Sequence, residues 1–344
     1  MSENVNKKLN SLSSLEEIID QCGSNKTIID SFLKANSVIG RYSKPYCSIS
    51  GGKDSDIMLD MLTKIDKKHK IKYVWFNTGI EYQATKDHLK YLEKKYGIEI
   101  EEAKAIKPIP VSCKEYGQPF LSKFVSEMIE RLQRHNFQWE DDTYENLIEK
   151  YPKITTAIAW WTDHRDTTKY GYSRFNISYN KYLKDFMIQN PPTFKISNKC
   201  CKYAKKNVGK DYVKQHNNDL SIIGVRKAEG GIRAAKYKSC FEPNTDADKN
   251  DIAYYRPLLW YKNEDEEAYD KIFDLTHSDC YEVYGMTRTG CVGCPYNRKI
   301  NEELEVMEKY EPNLAKAAKN IFKESYEYTK KYREFCEQYR TKTE

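Results

Sequence analysis

The stretch Ser48-Ile-Ser-Gly-Gly-Lys-Asp-Ser55 decides how this chain is read. It follows Lys44-Pro-Tyr-Cys47 and runs into Asp56-Ile-Met-Leu-Asp-Met-Leu-Thr-Lys64, which has the look of a helix. Glycine lacks a Cβ, so Gly51 and Gly52 let the backbone take φ > 0 and approach a ligand closely. A turn that opens a helix leaves backbone N–H groups free beside the positive end of the dipole. Such a turn favours an anion, most naturally a phosphate. Ser50 and Ser55 add hydroxyl donors, and Lys53 adds a cation. An ordinary strand-to-helix turn does not account for the ordered set from Ser50 to Ser55.

The Walker spacing, with its longer gap before Gly-Lys-Ser/Thr, is absent. The stretch instead resembles the PP-loop, Ser-Gly-Gly-x-Asp-Ser, of the adenine-nucleotide α-hydrolase superfamily. That resemblance implies binding of ATP or a sulfonucleotide and chemistry at the α-phosphate. It makes Ser48, Ser50, Gly51, Gly52, Lys53, Asp54 and Ser55 nucleotide-binding candidates, with Lys53 and Asp54 as the catalytic pair. Lys53 and the loop amides would stabilise charge on a leaving pyrophosphate. Asp54 would hold Mg²⁺ or cap the helix.

The chain has 344 residues, 39% hydrophobic and 31% charged, enough for one large core or two smaller ones. No run reaches the length of a membrane span, and no apolar segment behind Met1-Ser-Glu-Asn-Val-Asn-Lys-Lys suits a signal peptide. The expected location is cytoplasmic, with no membrane partner. In that compartment the ten cysteines point to metal or redox chemistry rather than a disulfide framework. The net charge of +6 is mild. Lys202, Lys205, Lys206 and Lys210 form one basic cluster and Lys330, Lys331 and Arg333 another, patterns equally suited to solvated helix faces.

The first half reads as repeated βα units. Strands are expected at Tyr46 to Ile49, Ile71 to Phe76 and Ile98 to Ile100, with helices at Ser55 to Lys67 and Tyr82 to Tyr96. The expected fold is therefore α/β, a doubly wound, mostly parallel sheet with helices on both faces. A helical segment is expected over residues 1–38 and a nucleotide-binding domain over 39–300. That domain carries an irregular helical insertion at about 104–198, and a helical C-terminal extension covers 301–344. Ligands of such sheets sit outside the carboxyl ends of strands, where both Gly51-Gly52 and Asn77-Thr78-Gly79 fall.

Phe76-Asn-Thr-Gly-Ile-Glu-Tyr82 resembles the segment after the second strand of phosphoadenosine phosphosulfate (PAPS) reductases, which implies nucleotide contacts for Asn77, Thr78 and Gly79. Asn77 stands where those proteins commonly have Asp. Gly224-Val-Arg226 and the following Arg233 match positions that hold the anionic end of the substrate in sulfonucleotide reductases. Guanidinium forks suit phosphate and sulfate oxygens.

Cys200 and Cys201 are adjacent, and Cys291-Val-Gly-Cys294 follows between Gly290 and Pro295. Two thiolate pairs suit a four-thiolate site, either zinc or an iron–sulfur cluster. Adjacent cysteines strain to share one tetrahedral ion, whereas a cubane offers separated iron corners. The pattern resembles that of iron–sulfur-dependent adenylyl-sulfate (APS) reductases, implying a 4Fe-4S cluster, with zinc as the alternative. Cys240 is the alternative ligand if only one of the adjacent pair is used.

The reductases place their catalytic cysteine in a mobile Glu-Cys-Gly segment. Here the tail has only Arg333-Glu-Phe-Cys336-Glu-Gln, in a helical pattern. The reading that follows is iron–sulfur-dependent sulfur transfer, with ATP activating an oxygen of a nucleic-acid acceptor and a sulfur donor or reductant protein as partner. APS/PAPS reduction and a non-catalytic nucleotide- and cluster-binding regulatory subunit are the alternatives.

Overall fold

The computed structural model describes residues 14–165, 173–230, 236–244 and 252–343. The chain divides into two compact units, each assembled from separate stretches. The first takes Met1–Asn77, Glu81–Ala105 and Asn207–Thr289; the second takes Thr78–Ile80, Ile106–Lys206 and Gly290–Glu344.

The first unit is α/β. Its strands are β1 (Pro45–Ile49), β2 (Lys72–Asn77), β3 (Ile100–Lys104), β4 (Leu220–Ile223), β5 (Phe241–Glu242) and β6 (Ala253–Tyr255), in the order β3-β2-β1-β4-β6-β5. All neighbours are parallel except β5 and β6. Central β1 is almost wholly buried, and Pro45 occupies its first position, where a missing ladder donor is tolerated. Cys47 and Ile49 join Ile57, Met58, Met61 and Leu62 of the following helix, Lys53–Ile65, in one core.

The third strand begins at Ile100, where the sequence suggested Ile98 to Ile100. As an edge strand, paired on one side only, it tolerates Glu101, Glu102 and Lys104, and such charges also discourage unwanted pairing. The helix Gln83–Tyr96 ends at Gly97, whose φ of 62° supplies the left-handed cap.

This strand order fixes where a ligand can sit. From β1 the chain passes outward to β2 and β3, then returns to β4 on the other side of β1. The topological switch therefore lies between β1 and β4, and a crevice opens outside their carboxyl ends. Ser50 to Ser55 leaves the end of β1, and Gly224-Val-Arg226 leaves the end of β4.

Among its described residues the second unit is built of helices. Its core gathers Phe120, Trp160, Trp161 and Phe186 with Tyr328, Tyr332 and Phe335 of the long helix Lys323–Thr343. The mid-chain helices and the C-terminal helices thus share one hydrophobic interior. No helix among the described residues is long and apolar enough to cross a membrane.

Candidate functional site

In the first unit, the loop after β1 is shaped by Gly51, at φ 68°, where a Cβ would meet the Thr85 methyl at 2.9 Å. Gly52 is the N-cap of the helix, so no side chain covers the first-turn amides. The Ser50 amide donates to Ser55 Oγ at 3.0 Å, folding the loop back onto the first turn. Ser48 lies within β1, two residues short of the loop, and its hydroxyl bonds the Tyr46 phenol.

Two residues from a distant stretch close over Gly52. A Cβ there would approach Tyr281 Oη at 3.2 Å and Thr289 Oγ1 at 3.3 Å. The Tyr281 hydroxyl accepts the Thr289 amide at 3.1 Å, and Lys53 Nζ lies 5.3 Å from the Tyr281 ring centroid.

Asp54 does not cap its helix. Its carboxylate accepts from Arg226 Nε at 2.9 Å, while Arg226 Nη2 meets Glu266 Oε2 at 2.9 Å and Nη1 donates to Asn263 Oδ1 at 3.1 Å. The guanidinium fork expected to hold a substrate anion therefore holds two carboxylates. Gly224 lies against Asp54, where an added Cβ would rest 3.6 Å from the Asp54 Cβ, an ordinary contact. Two carboxylates share one cation in a largely buried place. Burial, then the hydrogen bond and charge of Asp54, push the Glu266 carboxyl up to about 9, against the pull of Arg226. At neutral pH Glu266 keeps its proton.

Next along the helix, fully buried Asp56 joins two imidazoles, His88 Nε2 at 2.9 Å and His277 Nδ1 at 2.9 Å, and His277 Nε2 reaches Asp270 at 3.1 Å. Burial lowers the His277 pKa, but hydrogen bonds to Asp270 and Asp56 outweigh it and raise it to about 9. A charged His277 thus anchors the loop's helix to the segment leading to Tyr281.

The second expected turn divides. Asn77 ends β2, its amide donating to Glu102 at 2.7 Å. Buried Thr78 donates to the Ile80 carbonyl at 3.3 Å, and Gly79, at φ 85°, lies so close to Pro108 that a Cβ would fall 2.5 Å from the proline Cβ. Thr78 and Gly79 thus make protein contacts inside the second unit. Arg233 lies outside the described residues.

The second unit collects thiols. Cys200 touches both Cys201 and Cys113, and Cys294 lies within electrostatic reach of Cys200, Cys201 and Cys291. Cys113 carried no sequence signal beyond its residue type. Its placement follows from Gly117, at φ 108°, where a Cβ would fall 2.2 Å from the Lys195 carbonyl oxygen. That close approach lets the Gln118 amide donate to Lys195 O at 2.8 Å and the Ser197 amide donate to Gln118 O at 3.0 Å. The helix Ile109–Tyr116 is thereby brought against the single turn Lys199–Cys201. A π-helical turn, Lys202–Lys206, follows, a form often found at functional sites.

The Cys291–Cys294 turn is braced from outside. The Gly293 amide donates to Glu303 Oε1 at 3.0 Å, Asn297 donates to Glu303 Oε2 at 2.7 Å, and the Tyr326 hydroxyl donates to the Gly293 carbonyl. Burial, then the neighbouring Cys291, push the Cys294 thiol up to about 12, and contacts with other thiols raise Cys200 and Cys201 further. These are protonated thiols that a metal would have to deprotonate. Among the described residues, no three His, Cys, Asp or Glu side chains are drawn tightly enough together to enclose a single metal ion. The donor chemistry, soft and sulfur-only, fits an iron–sulfur cluster or zinc. Cys240 belongs to the first unit, beside Tyr255.

Residues 44–165 match the family model of the phosphoadenosine phosphosulfate reductase domain. No curated protein sequence matches the chain. Solved structures with a similar fold include PAPS reductase from Candida auris in complex with phosphate, at 14% identity and TM-score 0.41, covering 81% of this chain and 96% of that one. They also include the U34-tRNA thiolase NcsA from Methanococcus maripaludis with its [4Fe-4S] cluster, at 14% identity and TM-score 0.38, covering 91% and 81%. FMN adenylyltransferase from Candida glabrata is similar at 11% identity and TM-score 0.40, covering 84% and 68%. These are distant likenesses of fold and assign no reaction. The matched residues include the loop from Ser50 to Ser55 and Cys113, while Arg226, Glu266, Cys200, Cys201, Cys291 and Cys294 lie beyond them.

Proposed function

We propose that this PAPS reductase-domain protein binds an adenine nucleotide at Ser50 to Ser55 and uses it in iron–sulfur-dependent sulfur transfer to an acceptor such as a nucleic acid. The observation that carries the nucleotide reading is the loop itself: Gly51 at φ 68°, a glycine N-cap at Gly52, and Lys53 opening the helix at the switch point of a parallel sheet. Uncapped amides and Lys53 would bind the phosphates and stabilise charge on departing pyrophosphate. Arg226 acts as a positioning residue, holding Asp54 in place. Asp54 would hold the Mg²⁺ that accompanies the phosphates. Asn77 would border the nucleotide, and Arg233 would meet its anionic end.

Cys200, Cys201, Cys291 and Cys294 are the proposed ligands of a 4Fe-4S cluster, which when bound would supply redox chemistry or an iron corner for sulfur. Direct sulfonucleotide reduction is the weaker reading. The tail cysteine, Cys336, sits inside the helix Lys323–Thr343, its thiol donating to the Lys181 carbonyl at 3.7 Å, and a thiol so held is poorly placed to swing onto a bound sulfate.

The test uses anaerobically purified protein with its iron and sulfide measured. It is then assayed for pyrophosphate release from ATP with transfer RNA or DNA present, and for sulfite release from APS or PAPS. Pyrophosphate release that requires a nucleic acid supports sulfur transfer. Sulfite release replaces it with reductase activity, and tight nucleotide binding without either product leaves a regulatory subunit. Absence of all nucleotide binding overturns the reading of the loop.

A further inference from the structure

We propose that Tyr281 is an internal stand-in for a phosphate at the loop from Ser50 to Ser55, and that a bound nucleotide must displace it. This rests on the nucleotide reading above and makes Tyr281 the gate of that same site.

A glycine at position 52 lets a ligand come close, yet protein hydroxyls crowd its face. A Cβ added there would meet Tyr281 Oη at 3.2 Å, Thr289 Oγ1 at 3.3 Å and Ser50 Oγ at 3.4 Å. Gly52 itself brings no cap to the helix, and Tyr281 reaches the first turn from outside it. Oxygen acceptors are what amides at a helix start attract, whether they belong to a phosphate or to the protein.

Lys53 turns both its ammonium and its amide toward this one tyrosine. Its Nζ lies 5.3 Å from the centroid of the Tyr281 ring, a cation–π distance. Its backbone N–H lies beside the phenol oxygen, where it joins Thr289 in countering the upward pull of burial on the phenol pKa. The Thr289 amide donates to that oxygen at 3.1 Å, and the two hydroxyl oxygens are 2.9 Å apart. These are the groups Lys53 would give to a phosphate. Phenol and nucleotide therefore compete for them.

Tyr281 sits where an anchored segment gives way to a free one. His277, Ser278 and Cys280 before it are buried, and His277 is fixed by Asp56 and Asp270. After it, Val283, Thr287 and Arg288 are exposed, and Gly285, at φ 68°, has open space beside it. A segment with few buried contacts opens at low cost. Tyr281 and Thr289 can thus part from the loop while Asp56 keeps the helix Lys53–Ile65 in place.

The experiment titrates ATP with Mg²⁺, APS and PAPS into anaerobically purified wild type and Tyr281→Phe, which keeps the ring and removes the competing oxygen. The variant is expected to bind whichever nucleotide wild type takes about 3- to 10-fold more tightly, the worth of one neutral hydrogen bond. Equal or weaker binding by folded Tyr281→Phe overturns the gate and, with wild-type binding intact, leaves the loop reading standing. A wild type that binds none of the three fails the loop reading and takes the gate with it. Amide hydrogen exchange on wild type gives a readout that needs no variant to fold. At saturating nucleotide the Thr289 amide is expected to lose its phenol acceptor and exchange faster. Unchanged or slower exchange there keeps Tyr281 on the loop and overturns the gate.

Discussion

Replacing Glu266 by Gln should change how stability depends on pH, and the structure sets the sign. The folded protein holds the Glu266 proton up to about pH 9, whereas the unfolded chain releases it near 4.5. Between those values the folded state binds the extra proton, so stability falls as pH rises, by about 1.4 kcal/mol per unit for one group. From pH 5.5 to 8.5 that amounts to about 2–4 kcal/mol, the lower figure allowing for sharing of the proton with Asp54. Glutamine keeps an oxygen for Arg226 Nη2 and removes the titration. His277 also loses its stabilising contribution as pH rises from 6.5 through 9, so wild type and variant share that slope and only their difference reports on Glu266. The assay is anaerobic urea unfolding with EDTA at several pH values. Glu266→Gln should lie close to wild type at pH 5.5 and pull ahead steadily toward pH 8.5. Parallel curves would refute the reasoning and return Glu266 to an ordinary ion-paired carboxylate.

Lys53→Ala should weaken nucleotide binding by roughly 10- to 100-fold, the worth of about 1.5–3 kcal/mol for a hydrogen bond to a charged group, while thermal stability stays near wild type; calorimetric titration with ATP, APS and PAPS checks it. Gly51→Ala forces a side chain into a left-handed conformation and against Thr85, so it should cost about 1–4 kcal/mol of stability and abolish nucleotide binding, read by melting and by the same titration. Gly293→Ala places a methyl 2.7 Å from Ala318 Cβ at φ 61°, and should destabilise the protein by about 2–4 kcal/mol and lower its iron content; wild-type melting with full iron would remove the structural importance given to that turn.

The turn from Ser50 to Ser55 was legible because its residues are contiguous: glycines, serines and lysine in one run dictate a turn whatever folds around it. The alternation of apolar strands and helices was legible for the same reason, and β3 was misplaced only where an edge strand needs no apolar pattern. Residue type told less about partners. Nothing in Gly-Val-Arg says that Arg226 turns toward Asp54, which lies 172 residues away, and His277 meets Asp56 across 221. Such pairings depend on which strands become neighbours, and local periodicity does not encode that. Cys113 was hidden similarly, its position set by a glycine contact with the chain near Lys195. His164, unremarkable in sequence, stacks on Tyr144 at 3.9 Å, the packing role most histidines in aromatic surroundings take.

The way the chain threads between its units has a consequence for how the protein is made. The cysteines gathered in the second unit come from near residues 113, 200 and 292, and the whole stretch from Asn207 to Thr289, including β4 and β6, belongs to the other unit. During synthesis the thiol centre cannot be completed until the ribosome has released Cys294, by which time every strand of the sheet is already available. Contacts so distant in sequence form slowly, because loop closure must precede any gain from them. Until then the early thiols, Cys113, Cys200 and Cys201, lack the partners that Cys291 and Cys294 provide. On the cluster reading, metal would enter after the sheet has formed, and a contiguous fragment ending before residue 290 would carry the loop from Ser50 to Ser55 but not the full set of thiols.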